Sequence, residues 1–247
     1  SFFNKLRSGS TIGEVADAIE NEDDMAAFKS LLAAVFARKF AGVNEKPKKE
    51  FLEGYRMLNL YLTNACNLSC YHCFMNSGKK NEGELSVEDW KSVLREFRNN
   101  NGLNVTFSGG EPLMYKGFDE ILKYAKTIGL ETTVLTNGVL WTDDRIQDLA
   151  PYIDEVQISI DGVDENTNAV IRGKGNFEKA ANSVVNFANI GVKTSVSTTF
   201  AADNLSSDTA YRYKKMIESI DRLTNSKVFF KLSKKILPGR NVVLSLA

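Results

Sequence analysis

A chain of 247 residues, 43% hydrophobic and 25% charged, has the composition of a globular core and the length of one large domain with an appendage. Lys+Arg and Asp+Glu both number 31, so the formal charge is zero, and a polynucleotide partner, which calls for clustered positive charge, is not favoured. No run approaches the roughly 18 apolar residues of a membrane span, and the N-terminal "SFFNKLRSGS" lacks a signal peptide's apolar stretch.

Residues 11–42 predict two helices, the second with Met25, Phe28, Leu31, Leu32, Val35 and Phe36 on one stripe. "NEKPKKEF" at 44–51 is polar and contains Pro47, so it reads as a linker. The expected organisation is a helical N-terminal segment at 1–45 and a main domain at 52–240. From Leu58 onward the apolar period switches repeatedly between two and about 3.6. "LNLYLTN" alternates as a strand, and Ser86 with Asp89 forms an S-x-x-D cap before a stripe of Val87, Trp90, Val93, Leu94 and Phe97. "LNVTFS" at 103–108 is the next strand, and Phe118, Ile121, Leu122 and Ala125 mark the next helix. "ETTVLTNG" at 131–138, a short helix near Asp143–Ala150, and alternating Val156, Ile158 and Ile160 follow. Phe177 to Ala188 predicts a helix ended by Gly191. A strand through Val192–Thr198, a helix around Ser207–Ile220 and a strand at Val228–Leu232 complete the series.

Strand–helix alternation of this kind calls for a parallel sheet covered by helices. Six units fall short of an eight-fold barrel, so the expected fold is α/β, a partial, open TIM-like (β/α)6 barrel. A doubly wound open sheet is the competing arrangement.

All three cysteines and the single histidine fall within "CNLSCYHC", residues 66–73. Three clustered thiols make a poor disulfide framework and point to a reducing, cytoplasmic compartment. They follow the first strand, at the strand end where a β/α barrel places its chemistry. The C-x3-C-x2-C spacing lets one short loop surround an ion or cluster. Structural zinc needs a fourth ligand, which would be His72 or a distant acid. A three-thiolate [4Fe–4S] cluster with one open iron matches the count, and unligated thiols are the plain alternative.

"CNLSCYHC" resembles the cysteine signature of radical S-adenosylmethionine (SAM) enzymes, with His72 in the slot usually held by an aromatic residue, and the resemblance covers roughly residues 55–240. It implies that Cys66, Cys70 and Cys73 hold three irons, while SAM chelates the fourth. Reduction would then cleave SAM to a 5′-deoxyadenosyl radical that abstracts a substrate hydrogen. The implied cofactors are therefore the [4Fe–4S] cluster and SAM, with flavodoxin or ferredoxin as electron donor. "SGGEP" at 108–112 has two glycines that permit close backbone approach and reads on its own as a turn. It resembles the family's motif for the SAM amino group, through Gly109, Gly110 and Glu111. "VQISIDG" at 156–162 ends a strand with Ser159 and Asp161 on one face, and a capped strand end is its bland reading. The resemblance implies that Ser159 contacts the ribose or carboxylate of SAM and that Arg172, in "IRGKG", pairs with the carboxylate. Otherwise Arg172 is a solvated loop charge. "LTNG" at 135–138, Ser197 and Thr199 are weaker lining candidates, and no substrate-side acid or base is identified.

"KLSKKILPGR" at 231–240 resembles the close of the barrel in radical SAM peptide maturases of the SPASM or twitch type. Residues 241–247 would begin their C-terminal extension. No cysteine follows Cys73, so either that extension lies outside this sequence or the enzyme uses one cluster, and the absent initiator Met permits trimming at the other end. The N-terminal helices resemble part of a PqqD-like peptide-recognition domain, or serve as a packing appendage. The expected substrate is a ribosomally made precursor peptide, crosslinked or given a thioether. A sulfatase-type protein, a small metabolite, and a non-catalytic iron–sulfur or zinc protein are the alternatives.

Overall fold

The computed structural model describes residues 10–37, 56–200, 206–225 and 227–234. It divides into two compact units, Ser1–Leu52 and Glu53–Ala247. The linker expected at 44–51 and the C-terminal residues from 235 onward lie outside the described residues.

In the first unit, α1 spans Ile12–Asp17 and α2 spans Glu22–Ala37. Thr11 and Glu14 form a reciprocal capping box, satisfying N–H groups that α1 would otherwise leave unpaired. Asn21 Oδ1 accepts from Asp24 N–H at 2.7 Å, and three acids in the first turn of α2 complement the helix dipole. Phe28 is buried, and Met25 and Leu32 are half-buried; the rest of the predicted stripe lies on side chains outside the description.

The second unit is a six-stranded parallel sheet: β1 Met57–Tyr61, β2 Asn104–Ser108, β3 Glu131–Thr136, β4 Glu155–Ser159, β5 Lys193–Phe200 and β6 Phe229–Lys234. Each strand pairs with the next in sequence, in the order β1-β2-β3-β4-β5-β6. A doubly wound sheet reverses direction at a switch point. This one never does, which decides for the barrel-like arrangement, and among the described residues β1 and β6 are unjoined, so the sheet is open.

Register places one apolar row toward the helices. Leu60 pairs with Phe107, Phe107 with Val134, and Val134 with Val156, and all four are buried. Period-2 alternation then puts Asn59, Thr106, Thr133, Glu155 and Lys193 in register on the opposite face. The helices α3 (Val87–Asn99), α4 (Phe118–Thr127), α5 (Asp143–Leu149) and α7 (Phe177–Asn189) bury Leu94, Ile121, Ile146 and Val184 in the same core. Edge-to-face rings run through it from Phe107 to Phe118 (6.1 Å), Trp141 (6.2 Å) and Phe187 (4.9 Å). The Ser86–Asp89 capping box forms as expected, and Gly191 takes φ +92° just past α7. The last helix among the described residues, α8, is Thr209–Leu223.

One element departs from the sequence reading. Residues Glu165–Arg172, to which the sequence pattern assigned no element, form a helix, α6, capped by Asp164 and Thr167.

Candidate active site

Parallel strands bring the loops after β1, β2, β3, β4 and β5 to one edge of the sheet. The cysteine loop leaves β1 and is tied down at its root. An isolated bridge joins Ala65 to Gly78, with Cys66 N–H donating to Gly78 O at 3.0 Å and Gly78 N–H to Asn64 O at 2.9 Å. Glu84 Oε1 accepts from Thr63 Oγ1, Asn64 N–H and Asn81 N–H at 2.9–3.0 Å, so one oxygen closes the loop's two ends. Burial opposes its ionisation, but those N–H groups hold Glu84 below the usual carboxylate range. Sequence reasoning missed this residue, because an acid 20 positions from its partner gives no local signal.

The glycines at the end of β2 pack against that root. Gly109 has φ +136°, and a Cβ there would lie 2.5 Å from Thr63 O; at Gly110 it would lie 2.3 Å from Ala65 O. Without side chains, Gly110 N–H donates to Thr63 O at 2.8 Å and Glu111 N–H to Ala65 O at 2.9 Å. The close approach expected of these glycines is thus an approach to the cysteine loop's own backbone.

Glu111 itself is fully buried and absent from the cavity lining. Its Oε1 accepts from Thr136 Oγ1 at 2.6 Å and its Oε2 from Asn137 N–H at 2.8 Å. Burial pushes its carboxyl up to about 7 despite these donors. The resemblance implies that this motif meets the cofactor's amino group; in this structure the Glu111 carboxylate is hydrogen-bonded to the turn after β3.

A cavity of about 370 Å³ opens at this edge. Cys66, Cys70, Cys73 and His72 line it together with Gly109, Gly110, Asn137, Ser159, Arg172 and Thr199. Of the weaker candidates, Leu135, Thr136 and Asn137 of "LTNG" and Thr199 reach it, and Gly138 and Ser197 do not. A larger groove of about 740 Å³ between α6 and α7 holds none of the predicted residues.

Arg172 is no solvated loop charge. It is the last residue of α6, nearly buried, with Nε 2.7 Å from Asp161 Oδ2 in an ion pair whose N–H is poorly aligned for a hydrogen bond. His72 Nε2 meets the same Oδ2 at 2.8 Å, and Thr199 N–H donates to Oδ1 at 2.7 Å. Burial works against a charged Asp161, but Arg172 and then His72 outweigh it and hold its carboxyl below the usual range. Ser159 and Asp161 therefore divide: the first lines the cavity and the second is wholly buried behind it.

Cys66, Cys70 and Cys73 are thiols rather than disulfides, and burial pushes Cys66 up to about 11 and, against the pull of Arg172, Cys70 upward. Among the described residues no three His, Cys, Asp or Glu side chains are gathered for a single metal ion. A cluster keeps its irons apart, so its thiolates need only line one wall of a shared cavity, as these do. The residues fit a cluster.

The chain is 33% identical over 184 residues to the sporulation killing factor maturation protein SkfB of Bacillus subtilis, covering 73% of this chain and 43% of that one. It is 39% identical over 132 residues to the mycofactocin maturase MftC of Mycolicibacterium smegmatis, covering 53% and 33%. It thus spans less than half the length of either relative. Streptococcus suis SuiB bound to S-adenosylmethionine has a TM-score of 0.65 at 20% identity, over 97% of this chain and 53% of that chain, a likeness of fold. SuiB bound to its precursor peptide SuiA gives 0.64 at 18% identity, over 95% and 52%. The Radical SAM superfamily model matches residues 60–227. That span runs from within β1 to the approach to β6 and takes in every strand end that builds the cavity: this chain belongs to the radical SAM superfamily.

Proposed function

We propose that the protein is a radical SAM enzyme that modifies a ribosomally made precursor peptide. The observation that carries the reading is the convergence of three thiols from one loop with the ends of β2, β3, β4 and β5 on one cavity. The family uses a [4Fe–4S] cluster and SAM, which when bound supply a 5′-deoxyadenosyl radical able to remove hydrogen from an unactivated C–H. Cys66, Cys70 and Cys73 hold the irons. Gly109 and Gly110 offer backbone to the cofactor's amino-acid end, while Ser159 and Arg172 offer a hydroxyl and a charge to its ribose and carboxylate. Glu111 keeps Thr136 and Asn137 in place. The peptide substrate is supported by what SkfB and MftC are named for, maturation, and by SuiB's having been solved with a precursor peptide. Residues 1–45 serve as a capture segment for that peptide, and a cytoplasmic flavodoxin or ferredoxin supplies the electron.

Anaerobic reconstitution is expected to give about four irons and four sulfides per chain, and replacing any of the three cysteines by Ala to abolish both cluster and SAM cleavage. Incubation with candidate precursor peptides, followed by mass spectrometry, is expected to show loss of two hydrogens from one of them. Stoichiometric zinc without a brown chromophore would overturn the cluster. SAM cleavage with every peptide unchanged would return the substrate to a sulfatase-type protein or a small metabolite.

A further inference from the structure

Each sulfur of the cysteine loop has an N–H group beside it. Leu68 N–H donates to Cys66 Sγ at 3.4 Å and Ser77 N–H to Cys73 Sγ at 3.3 Å, both from within the loop. From outside it, Asn137 Nδ2 lies 3.9 Å from Cys66 Sγ and Arg172 Nη1 lies 3.9 Å from Cys70 Sγ. Of these four donors only Arg172 carries a formal charge, and it stands beside the most buried thiol of the three.

The charge is held in place with care. Asp161 has no solvent exposure and its Oδ2 contacts both Arg172 Nε and His72 Nε2. His72 sits in the loop between Cys70 and Cys73, so one carboxylate joins the cysteine loop, the end of α6 and, through Thr199 N–H, the end of β5. Charges enclosed in this way interact far more strongly than they would in water. The loop's backbone is tied separately to α6, where Tyr71 N–H donates to Ile171 O at 2.8 Å.

We propose that the Arg172–Asp161 pair sets the reduction potential of the cluster held by Cys66, Cys70 and Cys73. Arg172 is the positive donor at Cys70 Sγ. Asp161 is a positioning residue that fixes Arg172 and offsets its charge. The inference rests on the cluster reading above. Reduction adds one electron to the cluster from an external one-electron donor, and no bond at the protein forms or breaks. Net charge and hydrogen bonds to the sulfurs govern such potentials. A positive charge beside Cys70 favours the extra electron, and a negative charge behind it opposes that electron. Arg172 therefore pulls the potential up, and Asp161 pulls it back. The pair is neutral in sum, so the cluster gains a directed donor without the full effect of a lone buried cation.

The test compares Arg172→Gln, Arg172→Lys, Asp161→Asn and the Arg172→Gln/Asp161→Asn double variant with the wild type. Each is reconstituted, matched for iron and titrated with dithionite under EPR in the absence of SAM, which keeps any contact between Arg172 and the SAM carboxylate out of the measurement. Arg172→Gln is expected to move the midpoint to more negative potential and Asp161→Asn to more positive. Each shift should be on the order of a tenfold change in the reduction equilibrium, ~59 mV for one electron. The double variant should fall back toward the wild type, and Arg172→Lys, with its charge but not its fork, should lie between wild type and Gln. A purely structural role would change iron yield, or move every variant the same way. Shifts of one common sign, or no shift at full iron load, would overturn the proposal. Should Arg172→Gln hold no iron, Arg172→Lys decides: an unmoved midpoint sinks the idea. A wild-type chain that forms no iron–sulfur chromophore would instead bring down the cluster reading, and this inference with it.

Discussion

Glu111 accepts from Thr136 and Asn137 in a place no water reaches, and burial pushes its carboxyl up to about 7 from an ordinary 4.5. The folded state therefore takes up this proton more readily than the unfolded chain does. Its stabilising effect is complete below pH 4.5 and is lost as pH rises through about 7, a change of roughly 3 kcal/mol. Asp161 and Glu84, both held below the usual range, act in a separate and more acidic window. Urea midpoints of the cluster-free protein should accordingly fall between pH 5 and 7, and Glu111→Gln should flatten that slope. An undiminished slope in the variant would place the proton elsewhere. On its own "SGGEP" reads as a turn, and it was the resemblance to the family's motif that singled it out. Neither could show which way the carboxylate turned. That depends on Thr136 and Asn137, more than 20 residues away and brought near only by the β2–β3 pairing.

Among the elements, all six strands were legible, because a sheet with helices on one face imposes period-2 alternation that Leu58–Leu62 and Val156–Ile160 display openly. The helix α6 was not. It has eight residues, its apolar Val170 faces solvent, and only Asn168 and Ile171 are buried, so no stripe announces it. Its cap has Thr167 where a Glu or Gln is the usual sign. Yet α6 delivers Arg172, and Asn168 Oδ1 accepts from Asp161 N–H at 2.9 Å. Asn168→Ala should leave that buried N–H unpaired and cost about 1–3 kcal/mol in chemical denaturation. Val170→Ala, on the exposed side of the same helix, should stay within about 0.5 kcal/mol. Equal effects from the two would mean that α6 is held by something other than its contact with β4.

For the molecule as a whole, strand order was the feature that composition and periodicity left open, since both barrel-like and doubly wound sheets alternate strands and helices. Pairing of each strand with its successor decided it. The chain divides into two compact units, and the role proposed for the first, peptide capture, is open to a direct test. Deleting residues 1–45 is expected to leave SAM cleavage without peptide largely intact and to reduce peptide modification sharply, as read by mass spectrometry. Unimpaired modification would remove the segment from peptide capture and favour a small-molecule substrate. An insoluble product would identify the helices as packing for the main unit.

The ion pair behind the cysteine loop also has a history in time. Cys70 and Arg172 are 102 residues apart, whereas β1 directly precedes the loop and β2 follows after α3. At roughly 5–20 residues per second of synthesis, the thiols emerge about 5–20 s before their guanidinium partner. Gly109 and Gly110 arrive well inside that interval, so the loop's root can set early while its charged backing is still to be made. A nascent chain thus passes through a stage with three reactive sulfurs and no enclosing wall, when oxygen has its freest access and iron delivery its widest opening.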